Sequence, residues 1–119
     1  MDIEWLRAAC LSLPGTSEDI KWGNDLCFLV AEKMFCVTNF EPPLHVSFKV
    51  SDEEFEELSQ RDGFIPAPYM ARAKWVMVQQ MSKLSKSEWK KYIQQSYDLV
   101  KAKLPKKTQA GLQEKKKKK

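Results

Sequence analysis

At 119 residues, 43% of them hydrophobic and 30% charged, the chain can form one domain with a real core but is too short for two comfortable ones. Its apolar runs fall well short of the roughly 20 residues of a membrane span, and Met1-Asp2-Ile3-Glu4 is acidic where a secretory signal is basic, so a cytoplasmic protein with no membrane partner is expected. The formal charge of +4 conceals a reversal: residues 1–69 hold five Lys/Arg against thirteen Asp/Glu, whereas residues 70–107 hold ten against two. Such separation suits a basic side that meets a polyanion, and equally suits solvated helix lysines balanced by an acidic neighbouring face.

Asp2 is placed to cap a helix whose apolar residues Ile3, Leu6, Cys10 and Leu13 recur at spacings of three and four, with Met1 and Leu6 as a hydrophobic staple, and Pro14-Gly15 ends it. From Glu18 to Val50 short apolar segments alternate with turn residues, which predicts an antiparallel meander over Asp19–Trp22, Leu26–Ala31, Met34–Asn39 and His45–Val50. Glu32-Lys33 reads as a two-residue hairpin turn that sets Leu29 opposite Cys36 and Phe28 opposite Val37. Both strand faces are then apolar, and the sheet is expected to be covered at least partly on both sides. The same register makes Cys27 and Cys36 offset neighbours on one face. An odd set of three cysteines in the cytoplasm is expected as thiols, used for packing and not for a disulfide or a metal.

Ser51 followed by Glu54 is a capping box opening a short helix through Gln60, with Phe55 and Leu58 inward and Asp52, Glu53, Glu56 and Glu57 outward. Those carboxylates lack the Asp/Asn-rich loop and bend glycine of a calcium site and read as a solvated face. The next segment, Gly63 to Val78, is the joint between the acidic and basic halves. Pro66 and Pro68 exclude a helix there, and Lys74–Gln80 reads as a strand with Trp75 and Met77 on one face and Val76 and Val78 on the other. Ser85 and Glu88 form a second capping box for the longest helix, through about Leu104, with a stripe of Trp89, Tyr92, Ile93, Ser96, Tyr97, Val100 and Leu104. Residues 1–107 are expected to form a single domain and residues 108–119 a disordered, lysine-rich tail.

The order α-β-β-β-β-α-β-α predicts an α+β fold, an antiparallel sheet of about five strands against N- and C-terminal helices. Together with Leu13-Pro14-Gly15, Trp22, Phe28, Lys33-Met34-Phe35, Phe48-Lys49, Pro66-Ala67-Pro68-Tyr69, Trp75-Val76, Ser96-Tyr97 and Lys103-Leu104-Pro105, it resembles the MmcQ/YjbR family of small bacterial proteins over residues 2 to about 107. The resemblance implies a CyaY-like (frataxin-like) two-layer sandwich in which two helices cover one sheet face, and a DNA-binding role through a double wing. One residue departs from the family pattern: Glu32 stands where a glycine precedes Lys-Met-Phe, and a carboxylate at a wing tip repels phosphate.

Three function classes follow. The first is a non-enzymatic DNA-binding protein making mainly backbone contacts through Arg72, Lys74, Lys83, Lys86, Lys90 and Lys91. Sequence-specific readout is not expected, because no helix presents a row of Arg, Asn or Gln. The second is a module for a small ligand or a protein, with Trp22, Lys49, Tyr69 and Trp75 around a pocket suited to an anionic or planar ligand; against it, both tryptophans also fit a core and Lys49 a strand end. The third is an enzyme or metal protein. It would rest on the single histidine, His45, or on Glu18-Asp19 and the Asp52–Glu57 face by analogy with iron binding on frataxin-like folds. The expectation is a monomer with DNA or another polyanion as partner, no cofactor, no metal and no catalytic residue.

Overall fold

The computed structural model describes the chain from Asp2 to Lys117, as backbone alone beyond Gly111; Met1, with its expected staple to Leu6, and Lys118 and Lys119 lie outside the described residues. Helix α1 (Ile3–Leu11) starts where predicted, with Asp2 Oδ1 accepting from Trp5 N at 2.9 Å. Strands β1 (Thr16–Lys21), β2 (Asp25–Val30), β3 (Lys33–Asn39) and β4 (Val46–Lys49) make the meander, and α2 (Asp52–Leu58) follows with its capping box formed. Strands β5 (Phe64–Pro66) and β6 (Trp75–Val78) come next, then α3 (Lys86–Lys101) with the second capping box, then α4 (Lys106–Lys117).

All six strands belong to one antiparallel sheet in the order β1-β2-β3-β4-β6-β5. The strand beyond the expected count is β5, three residues inside the Gly63–Val78 joint. On β5, Ala67 N donates to Trp75 O and Gly63 O accepts from Gln79 N, which turns Phe64 and Pro66 backbone groups outward. Phe64 N is taken by Arg61 O at 3.1 Å and Pro66 has no N–H, so this edge suits a proline. Gly63 adopts φ 87°, and the aliphatic stem of Lys83 packs against its bare Cα.

The hairpin between β2 and β3 differs from the predicted register. The two-residue turn is Ala31-Glu32, both at positive φ (47° and 69°), and Val30 pairs with Lys33. A bulge then inserts Phe35, so Phe28 faces Cys36 and Leu29 faces Met34. The bulge sends Phe35 and Cys36 both toward the helices. Cys27 consequently pairs with Val37 on the opposite face, and it and Cys36 are not neighbours on one face as expected.

One face of the sheet carries the row Phe28, Cys36, Phe48 and Val76 and meets α1, α2 and α3 in a single cluster with Leu6, Cys10, Leu58, Trp89, Ile93 and Tyr97. Phe48 stacks on Tyr92 (5.5 Å) and meets Trp89 edge-on (5.8 Å), while Phe35 meets Tyr97 edge-on. Buried Ser96 repairs the ladder at the bulge: its hydroxyl donates to Phe35 O at 2.6 Å and accepts from Lys49 N at 2.9 Å. Tyr97 Oη donates to Pro14 O at 2.6 Å and fixes the α1–β1 connection on α3.

Among the described residues no α-helix covers the opposite face, contrary to the two-sided cover expected from its apolar residues. Cys27, Leu29, Ala67 and Trp75 are buried on that face, outside the main cluster. The segment expected to be disordered from residue 108 carries α4. Gln109 N bonds Pro105 O to open that helix, and Gln, Ala, Leu, Glu and Lys are good helix formers even without an apolar stripe. Among the described residues no helix is long and apolar enough to cross a membrane.

Candidate functional site

The helix-free face holds an open groove of about 690 Å³. Its floor is built by the strands: Val37 of β3, Ser47 of β4 and Met77 of β6 are consecutive partners across the sheet and point the same way. Met34 extends the floor toward one end, and Asp25, Asn39 and His45 lie at the other. Ala67, Pro68, Tyr69 and Met70 of the β5–β6 connection form one wall, and Trp22, from the β1–β2 turn, stands at the Asp25 end.

Trp22 is 68% exposed and Tyr69 fully exposed, in a chain whose other large apolar side chains are mostly buried. Both hold left-handed backbone, φ 54° and 65°. For a bulky L-residue that conformation is strained by about 1–2 kcal/mol, and such strain gathers at ligand clamps and active sites. Asn39 is committed to the loop, accepting from His45 N at 2.8 Å and donating to Glu41 O at 2.9 Å. Ser47 is 5% exposed and, among the described residues, its hydroxyl has no hydrogen-bond partner.

The four residues expected around a pocket separate into two pairs. Trp22 and Tyr69 line the groove, so neither is core. Trp75 is buried beneath it, and Lys49 does not line it: Lys49 Nζ donates to Ala73 O, and burial first, then Lys103, lowers its pKa against the opposing pull of Asp52. What the sequence reading missed is the floor, Met34, Val37, Ser47 and Met77, with Asp25 at its end. The available signal was the apolar content of the second strand face, which had been assigned to a covering layer.

The six basic residues come from three segments: Arg72 and Lys74 precede β6, Lys83 follows it, and Lys86, Lys90 and Lys91 lie on α3. The four residues of β6, about 13 Å of strand, lie between the first two segments. Lys74 Nζ lies over the Phe55 ring, Lys91 Nζ over Tyr92, and Lys83 is paired with Asp62 at 2.8 Å, a contact that lowers the Asp62 pKa. Arg72, Lys86 and Lys90 are exposed and, among the described residues, have no ion-pair partner. His45 is exposed, and no three His, Cys, Asp or Glu side chains converge as metal ligands among the described residues. Burial pushes the Cys10 thiol, which faces Cys36 in the core, far above its ordinary range.

A family model described as YjbR matches residues 11–99. The chain belongs to the YjbR family. Another structure with this YjbR-family fold is the crystal structure of Deinococcus radiodurans protein DR2400, with family-model domain DUF419. It is similar at 27% identity and a TM-score of 0.85, over 93% of this chain and 87% of that one. A Pseudomonas syringae protein shares the fold at 18% identity and a TM-score of 0.69, over 83% of this chain and 98% of that one. No curated protein matches the chain.

Proposed function

We propose that this YjbR-family chain is a non-enzymatic binding module whose working surface is the helix-free groove. The observation that carries the reading is the pair Trp22 and Tyr69: two aromatic side chains kept in solvent at the rims of one apolar groove, each on strained backbone. A core does not need either residue there, and a concave apolar wall with few polar groups suits a small organic ligand. The test is a screen of small aromatic fragments by amide chemical-shift mapping on the full chain. Shifts gathered at Trp22, Val37, Ser47, Tyr69 and Met77 support the reading; hits gathered on α3, or no hits, overturn it.

A second reading, DNA binding through phosphate contacts with little sequence specificity, is favoured by Arg72, Lys86 and Lys90, which are exposed and unpaired among the described residues. A surface of this kind loses affinity steeply with salt. Replacing all three by Gln should weaken duplex binding and flatten its salt dependence, and an unchanged slope removes this reading.

A further inference from the structure

The sequence placed a cation, Lys49, beside the aromatic residues and so pointed to an anionic or planar ligand. The groove carries the opposite sign. Lys49 is drawn to the Ala73 carbonyl, Arg72 does not line the groove, and Asp25 is the only Asp, Glu, Lys or Arg among the lining residues. The strand register adds Asp19 and Lys21 to the same face on β1, opposite Cys27 and Asp25. Lys21 forms no ion pair with a carboxylate among the described residues, and Asp19 and Asp25 together outnumber it on this face. The thiol of Cys27, on the same face between Asp25 and Leu29, is pushed up first by burial and then by Asp25, an effect Lys21 only partly opposes.

Trp22 beside Asp25 supplies the second half of a cation site, since an ammonium is attracted to an indole face and to a carboxylate together. Beyond that end the floor is apolar, Val37, Met77 and Met34, and it is interrupted by Ser47, whose hydroxyl has no hydrogen-bond partner among the described residues. Tyr69 and Met70 stand at the far end. The layout is charged at the Asp25 end, with Ser47 the hydrogen-bonding side chain among the floor residues Met34, Val37, Ser47 and Met77.

Resting on the groove as the working surface, we infer that its ligand is a small amphiphilic monocation: an ammonium held between Trp22 and Asp25, with an apolar or aromatic body lying across Val37, Ser47 and Met77 toward Tyr69. Shape selects the body and the carboxylate selects the charge. Anionic ligands of the same shape are repelled by Asp25 and find no Lys or Arg among the lining residues, with His45 the one basic side chain there.

Three probes of matched length separate these terms: 4-phenylbutylammonium, 4-phenylbutanol and 4-phenylbutyrate, titrated into the full chain at pH 7 and followed by amide chemical shifts. The ammonium should bind at least tenfold more tightly than the alcohol, with the butyrate weakest, and shifts should include Asp25 and Ser47. Asp25→Asn makes no new charge and removes no hydrogen bond or ion pair seen among the described residues; it should cut the ammonium's preference over the alcohol to about fivefold or less, the part owed to Trp22, while leaving alcohol binding within about twofold. Equal binding of all three in the groove, or a preference undiminished by Asp25→Asn, overturns the charge assignment and leaves the groove reading standing. Tighter binding of the butyrate also overturns it. No shift in the groove with any probe removes both.

Discussion

The two faces of the sheet use the same alternating apolar residues for different ends. The helix side is closed: Phe48, Phe35, Trp89 and Tyr97 are fully or almost fully buried, their rings meet in edge or stacked contacts, and the one bulge is sealed by Ser96. On the other side a shallow buried layer of Cys27, Leu29, Ala67 and Trp75 lies under a groove whose aromatic side chains are held in water on strained backbone. Stability is concentrated on one side, and the capacity to bind is left on the other. Residue type alone does not distinguish them, since Trp22 and Trp89 are the same amino acid with opposite fates.

The contrast is tested first where the largest effect is expected. Trp89→Ala empties the centre of the helix side and should cost about 3–5 kcal/mol of unfolding free energy, whereas Tyr69→Ala, from a fully exposed position, should change denaturant stability by less than about 0.5 kcal/mol. Comparable losses for the two would erase the distinction. Next comes Ser96→Ala, which leaves Phe35 O and Lys49 N without their partner and should cost about 1–3 kcal/mol. Faster hydrogen exchange at the Lys49 amide would accompany it, and protection equal to the parent would show that the bridge is dispensable.

The third test works in the stabilising direction. Ala31 and Glu32 occupy a turn in which Asn and Gly are preferred, so Ala31→Asn with Glu32→Gly should raise stability by about 1 kcal/mol. Trp22→Gly should likewise leave stability equal or raise it by up to about 1 kcal/mol, while abolishing ligand shifts in the groove. A Trp22→Gly chain that melts several degrees earlier would mean that this side chain serves folding.

The smallest effect is on acid sensitivity. Arg7 donates to Glu18 through Nε and Nη2, and those bonds hold the Glu18 carboxyl below its ordinary value. A depressed carboxylate adds stability above its unfolded pKa of about 4.3, and that contribution disappears as pH falls through the folded value. The melting-temperature difference between the parent and Glu18→Gln should therefore be present at neutral pH and shrink toward zero in acid; a constant difference would contradict it.

Locally coded features were legible in the sequence. The caps at Asp2, Ser51 and Ser85 need only residues three apart, and the stripe of α3 needs only its own spacing. The α+β class followed from element order, and the family from that order together with landmark residues such as Leu13-Pro14-Gly15 and Pro66-Ala67-Pro68-Tyr69. Strand β5 was not legible, because three residues ending in proline carry no periodic signal and pair only once β6 is in place. The cysteine placement failed on a single inserted residue, Phe35, since one extra position in a strand exchanges its faces. Of the four residues expected around a pocket, Trp22 and Tyr69 line the groove. Its floor was not anticipated, because an apolar strand face reads the same whether a helix or a ligand covers it.

The β5 edge has a consequence for how copies of this chain can meet. Its outward positions offer no available N–H, one being spent on Arg61 O and the other removed by proline. A strand arriving from a neighbour would find acceptors there and no donors. Among the described residues β1 is the sheet's other margin, so edge-to-edge pairing through β1 alone would close as a two-fold pair, with β5 poorly suited to extend it.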